Sequence, residues 1–182
     1  GAQFQRGIGR AGEGHGILTG QVIEHVAQPA GNQLQRACRK DAGIDHQWVQ
    51  DNHSKSSIGT VRGLHYQVSP GQDKLVRVIR GEVYDVVVDM RRDSETFGQW
   101  AGFTLSEENR RMLYVPKGFA HGFCVTSEIA EFVYKCSEYW SPTDERGVAW
   151  DDPALGIDWP VENPILSERD TTHPKFSDAE YM

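Results

Sequence analysis

Residues 60–66 read Thr60-Val61-Arg62-Gly63-Leu64-His65-Tyr66. Residues 74–90 read Lys74-Leu75-Val76-Arg77-Val78-Ile79-Arg80-Gly81-Glu82-Val83-Tyr84-Asp85-Val86-Val87-Val88-Asp89-Met90. β-Branched and aromatic residues dominate both stretches, with apolar side chains at alternate positions or in short runs. Successive side chains of a strand leave on opposite faces, so this period of two predicts strands over 60–66, 74–80 and 82–90. The last two are expected to form a hairpin joined at Gly81. The pattern continues over 97–105, 112–115, 122–126 and 130–139, between clusters of Gly, Pro, Asp and Ser. Only Ser106-Glu107-Glu108-Asn109 reads as a single helical turn. Many short strands with regular turns predict an all-β barrel or jelly roll, with short helical or irregular segments at its C-terminal end. No long segment has a 3.6-residue period, which argues against a helical bundle and a parallel βαβ fold.

The rest of the chain bounds the possible functions. Its 182 residues suit one domain, with 38% hydrophobic residues for a core. The net charge of −7 argues against a nucleic-acid binder, which needs a basic face to displace counterions from phosphates. No apolar run reaches the 18 or so residues of a membrane span, and no signal-peptide pattern opens the chain. Cys38, Cys124 and Cys136 are odd in number and lack C-x-x-C spacing, so neither a disulfide framework nor a zinc knuckle is expected. The expected location is the cytoplasm. Residues 1–41 form a separate, divergent segment, its first dozen residues loosely ordered and 16–26 containing a short strand pattern. Five basic and three acidic residues give it +2, which leaves −9 for residues 42–182. Partial disorder or a swapped strand are both open for this segment.

One motif is a decoy. Gly7-Ile8-Gly9-Arg10-Ala11-Gly12 matches G-x-G-x-x-G, which holds a pyrophosphate only between a strand and a helix N-terminus. Neither flank fits.

The chemistry-bearing residues lie in the strand-rich part. On a regular strand Arg62 and Leu64 face one side, and Gly63 and His65 the other. Lys74 opens the next strand, toward the same cavity. Ionisable groups inside a barrel are costly unless paired or used. Arg62, His65, Lys74 and His121 therefore predict a positive pocket in an acidic protein, suited to an anionic substrate and a developing oxyanion. Tyr134, on an apolar strand, is the candidate proton donor, with Tyr139 as its rival. Asp170 is a candidate to orient the His65 imidazole, although spacing alone does not establish that pairing.

Pro116-Lys117-Gly118-Phe119-Ala120-His121 resembles the second motif of the cupin superfamily of jelly-roll barrels. Metal-binding cupins add an H-x-H pair and a downstream Glu. Here the matching strand reads His65-Tyr66-Gln67 without such a Glu, so no metal is expected.

A wider resemblance covers Ala42 to Asp178. Gln50-Asp51-Asn52-His53-Ser54, Arg62 to Gln67, Lys74 to Ile79 and Gly81 to Asp85 carry it. So do Asp89 to Ser94, Leu105 to Asn109, Pro116 to Phe123, Tyr134 to Cys136, Trp150 to Pro153, Ile157 to Pro160 and Leu166 to Asp170. In order and spacing these motifs resemble the nucleotide-sugar 3,5-epimerase family. The resemblance implies a cofactor-free, metal-free isomerase acting on dTDP-4-dehydro-6-deoxy-D-glucose in dTDP-L-rhamnose biosynthesis, and a homodimer. It also implies roles: His65 as base held by Asp170, Lys74 on the enolate oxygen, and Tyr134 as acid. Arg62, His121, Gln50 and Asn52 would hold the nucleotide-diphosphate sugar. Epimerisation at carbon 3 or carbon 5 alone, and a non-catalytic sugar-nucleotide-binding barrel, are the alternatives. The family's D-x-R-G-x-F-x-E segment has no counterpart in Ala27 to Cys38, so no nucleotide contacts carry over there. An altered reading frame and genuine divergence both account for that break.

Overall fold

The computed structural model describes residues 3–6, 21–24, 44 and 46–182. Eleven strands run in chain order through these residues. They are β1 (Gln3–Arg6), β2 (Gln21–Glu24), β3 (Gln50–Ser57), β4 (Val61–Gln67), β5 (Lys74–Arg80) and β6 (Glu82–Asp89). β7 (Trp100–Ser106), β8 (Met112–Val115), β9 (Phe119–Val125), β10 (Ile129–Cys136) and β11 (Glu145–Gly147) follow. Two 3-10 turns, Arg169–Thr171 and Phe176–Asp178, close the C-terminal segment. No helix among the described residues is long and apolar enough to cross a membrane. The Gly7–Gly12 motif and most of residues 1–41 lie outside the described residues.

The strands form two sheets, ordered β1-β2-β8-β5-β10-β3 and β11-β4-β9-β6-β7, with antiparallel pairing throughout. From β3 to β11 the chain changes sheet at every connection except β6 to β7. That alternation makes a jelly roll, as the strand pattern predicts. It also corrects one expectation. β5 and β6 are not a hairpin, because they belong to different sheets. Gly81, at φ +74°, turns the chain from one sheet to the other, and a Cβ there would lie within 2.0 Å of the Ile129 carbonyl oxygen. The true hairpin is β6–β7. The 106–109 turn forms, closed by the Arg110 N–H donating to the Ser106 carbonyl at 3.0 Å.

Between the sheets lie Val76, Val78, Leu113, Val115 and Phe132 of the first, against Val83, Val87, Leu105, Phe119 and Phe123 of the second. Phe132 stacks on Phe123 with ring centroids 4.5 Å apart, and removing either from water contributes about 2–3 kcal/mol. A second core covers the outer face of the second sheet. Leu64, Tyr66, Val86, Val88 and Trp100 meet Val148, Leu155, Trp159 and Phe176 there. β6 is therefore buried on both faces, which explains its nearly continuous apolar run. Ile44, Leu75 and Met112, with Trp48 and Tyr114, form a smaller cluster on the outer face of the first sheet.

Candidate active site

A cavity of about 180 Å³ opens between the sheets beside the inner core. Arg62 and His65 of β4, His121 of β9, Lys74 of β5, Tyr134 of β10, Ser54 and Ser56 of β3, and Arg169 of the first 3-10 turn line it. Arg62 and His65 are three residues apart, so regular alternation would put them on opposite faces. The structure overrules that expectation. β4 carries one extra residue against β9, since Arg62 pairs with Phe123 and His65 with His121. This bulge at Gly63–Leu64 resets the alternation, turning both side chains into the cavity and sending Leu64 to the outer core. Glycine makes the bulge feasible. A Cβ on Gly63 (φ +117°) would fall 2.6 Å from the Gly122 Cα, and one on Gly122 would fall 2.7 Å from the Arg62 carbonyl oxygen.

His65 Nε2 donates to Asp170 Oδ1 at 2.7 Å. Asp170 is buried and accepts two further bonds, from Ser167 Oγ at 2.6 Å and from the Gly63 N–H at 3.3 Å. Arg62 lies 3.8 Å from its other oxygen. Burial opposes ionisation of Asp170, but polar contacts with His173, His65 and Ser167 outweigh it and hold the carboxyl well below its usual range. The Asp170 bond fixes the proton on His65 Nε2, so the lone pair lies on Nδ1, toward which Arg169 donates at 3.4 Å. Burial holds the imidazole below 6.5, against the pull of Asp170, and the charges of Arg169 and Lys74 act in the same direction as burial. A neutral imidazole with its lone pair at a cavity wall can accept a proton.

Tyr134 stands on the opposite sheet, and its hydroxyl makes no hydrogen bond among the described residues. Burial raises its pKa, which keeps the phenol protonated. Tyr139, the rival donor, is 70% exposed and outside the cavity wall. Lys74 pairs in register with Cys136, two residues from Tyr134. Its ammonium has no ion-pair partner among the described residues, and burial lowers its pKa. An unpaired ammonium at a cavity wall is positioned for an oxyanion. His121 Nε2 donates to Asp85, 2.9 Å and 3.1 Å from the two carboxylate oxygens. Burial pushes the Asp85 pKa up, against the opposing pull of His121.

Gln50 and Asn52 are not part of the cavity wall. They share the inward face of β3 with Ser54 and Ser56 but lie further along it. Gln50 donates to Asn52 at 3.0 Å and accepts from the Trp140 N–H at 2.8 Å, tying β3 to the Tyr139–Trp140 segment. Sequence reasoning missed Asp85, Arg169 and Glu145. Arg169 bonds Glu145 at 2.7 Å and donates toward His65 Nδ1 at 3.4 Å. Its place beside Asp170 was the available signal. Asp85 had one too, as an acid inside an otherwise apolar strand.

The site therefore sets a buried imidazole and an unbonded phenol on facing sheets of a jelly-roll barrel, with an unpaired ammonium beside them. That combination defines a class of proton-transferring enzymes acting next to a group that can take negative charge. The family model described as dTDP-4-dehydrorhamnose 3,5-epimerase matches residues 32–178, and the chain belongs to that family. It is 53% identical over 149 residues to the dTDP-4-dehydrorhamnose 3,5-epimerase of Shigella flexneri, covering 81% of this chain and 82% of that protein. Identity to the enzyme of the same name from Pseudomonas aeruginosa is 54% over 147 residues, covering 80% and 81%. Among solved structures, the dTDP-6-deoxy-D-glucose-3,5-epimerase of Legionella pneumophila in complex with dTDP-4-keto-L-rhamnose superposes with a TM-score of 0.80. Identity there is 44%, over 87% of this chain and 88% of that one.

Proposed function

We infer that the protein is an isomerase inverting carbons 3 and 5 of dTDP-4-dehydro-6-deoxy-D-glucose, giving dTDP-4-dehydro-L-rhamnose for dTDP-L-rhamnose biosynthesis. Membership of the family supports the reaction. The observation that carries the mechanism is the position of His65 and Tyr134 on facing sheets across one cavity.

The ketone at carbon 4 acidifies the protons on its two neighbours. His65 Nδ1 takes one of them, and the electron pair moves onto the carbonyl oxygen as an enolate. The Lys74 ammonium offsets that charge. Tyr134 returns a proton from the other face of the sugar ring, which inverts the carbon. Exchange with solvent returns the proton to Tyr134 and removes the one on His65, and the sequence then repeats at the second carbon. No electron is gained or lost, so the reaction as written needs no redox cofactor. Arg62 and His121 hold the sugar and the adjoining diphosphate, and a guanidinium suits that group through bidentate bonding. Gln50 and Asn52 act further out, by fixing the segment that carries Tyr139.

The active form is a cytoplasmic homodimer of two chains. Proton NMR of the product formed from dTDP-4-dehydro-6-deoxy-D-glucose tests the function. Inversion at both carbons is expected. A product inverted at one carbon would establish a single-site epimerase, and unchanged substrate would establish a binding protein.

A further inference from the structure

The mechanism above leaves one enclosed titratable group beside the base unused. His173 follows the Arg169–Thr171 turn, and the Ala149 N–H donating to the Pro174 carbonyl at 2.8 Å anchors its segment beside β11. Its ring lies against the Gly147 backbone, where a Cβ would come within 2.2 Å of His173 Nδ1. The ring meets His65 edge to face, with centroids 5.1 Å apart and planes at 79°. Its Nε2 is buried and makes no hydrogen bond among the described residues. That nitrogen lies 3.8 Å from Asp170 Oδ1, the oxygen that accepts the His65 proton. A buried polar nitrogen without a partner is costly, and this one faces a carboxylate just beyond bonding distance.

Two readings compete. His65, Asp170 and His173 each present one ligand atom within 4.8 Å of the others, and imidazole and carboxylate are donors that zinc accepts. Arg62, 3.8 Å from Asp170, and Arg169, 3.4 Å from His65, oppose a dication there. The short His65–Asp170 bond also occupies the space such an ion would take. The His173 imidazole shares the carboxylate instead.

We propose that His173 is a positioning residue that, through Asp170, sets the basicity and ring plane of His65. Its Nε2–H takes part of the charge on Oδ1, which weakens the pull of Asp170 on the His65 proton. Its ring edge fixes the plane in which His65 presents Nδ1. The charged and titratable groups facing this unit are His65 and Arg62 from β4, Lys74 from β5 across the cavity, Asp170 and Arg169 from the turn, and Glu145 from β11, which binds Arg169. The proposal rests on His65 being the base.

The test is the titration of the ¹⁵N-labelled His65 ring, read together with the acid limb of kcat/KM. Four proteins are compared: wild type, His173→Phe, His173→Gln and His65→Ala. Phe keeps a ring without a donor, and the Gln side-chain amide presents an N–H near the position of Nε2. In His173→Phe the charge of Asp170 falls undivided on His65, so its titration and the acid limb both move up, by roughly half a pH unit. His173→Gln returns them toward wild type. Should the Phe variant not fold, His173→Ala, which only empties the space over Gly147, is expected to give the same upward shift. An unshifted His65 in the Phe or Ala variant overturns the proposal, as does a Gln variant that behaves like Phe. Full activity in His65→Ala would instead overturn the base assignment, and the His65 titration in the His173 variants would still decide this one.

Discussion

At His65, the two ring nitrogens have separate tasks. Nε2 is held by Asp170 at 2.7 Å, and in the proposed mechanism Nδ1 takes the substrate proton, displacing the 3.4 Å contact from Arg169. Burial keeps this imidazole neutral below its usual 6.5, so falling pH switches the base off only at lower pH. The acid limb of kcat/KM is expected below pH 6.5, and a limb above that value would contradict the burial argument. On the alkaline side, burial brings loss of the Lys74 charge below 10.5. Activity is therefore expected to decline before that pH, and Lys74→Met to remove most of it throughout the range. Tyr134→Phe is expected to lower turnover about 10²–10⁴-fold while His65 still removes a proton. Isotope exchange outpacing product formation in that variant checks the division of labour. The residue types of this site were legible in the sequence: a lone His in a strand with Arg, a Lys opening the next strand, and a Tyr among apolar neighbours. The burial of Asp85 against His121 was not legible, because the two meet only through the pairing of β6 with β9. His173 was invisible for a similar reason, since its neighbours come from β4 and β11.

Among the strands, the decisive feature is the bulge where β4 crosses β9. A one-residue slip reverses the facing of every later side chain, and here one extra residue brings Arg62 and His65 to the same side. Gly63→Ala places a methyl against the Gly122 backbone at φ +117°. It is expected to cost about 2–3 kcal/mol in guanidinium unfolding and to cut activity by displacing His65. A wild-type midpoint with wild-type activity would show that the bulge tolerates a side chain. Strand positions were readable from their period of two, and 74–80 and 112–115 coincide with β5 and β8. Strand partners were not, because a period of two reports faces and not neighbours. Gly81 therefore looked like a hairpin turn when it is a crossing between sheets. The family-like segment Asp89 to Ser94 has a structural task. Asp89 accepts bonds of 2.6 Å from each of Arg91, Ser94 and Thr96, which tie down the β6–β7 connection.

The molecule carries a net charge of −7, yet its cavity wall contains Arg62, Lys74 and Arg169. An acidic protein with such a pocket discourages nucleic-acid polymers and still attracts a small diphosphate sugar. Raising ionic strength is accordingly expected to raise KM more than it changes kcat. For the proposed homodimer, sedimentation equilibrium is expected to give twice the 20.5 kDa chain mass, and a value of one chain mass would refute it. The central claim is that one base and one acid, on facing walls, move protons at both carbons beside the ketone. Incubation with dTDP-4-dehydro-6-deoxy-D-glucose in heavy water, followed by NMR, tests it most directly. The account predicts deuterium at carbons 3 and 5 with wild-type protein and at neither with His65→Ala. Deuterium at a single carbon, or at both carbons with His65→Ala, would contradict it.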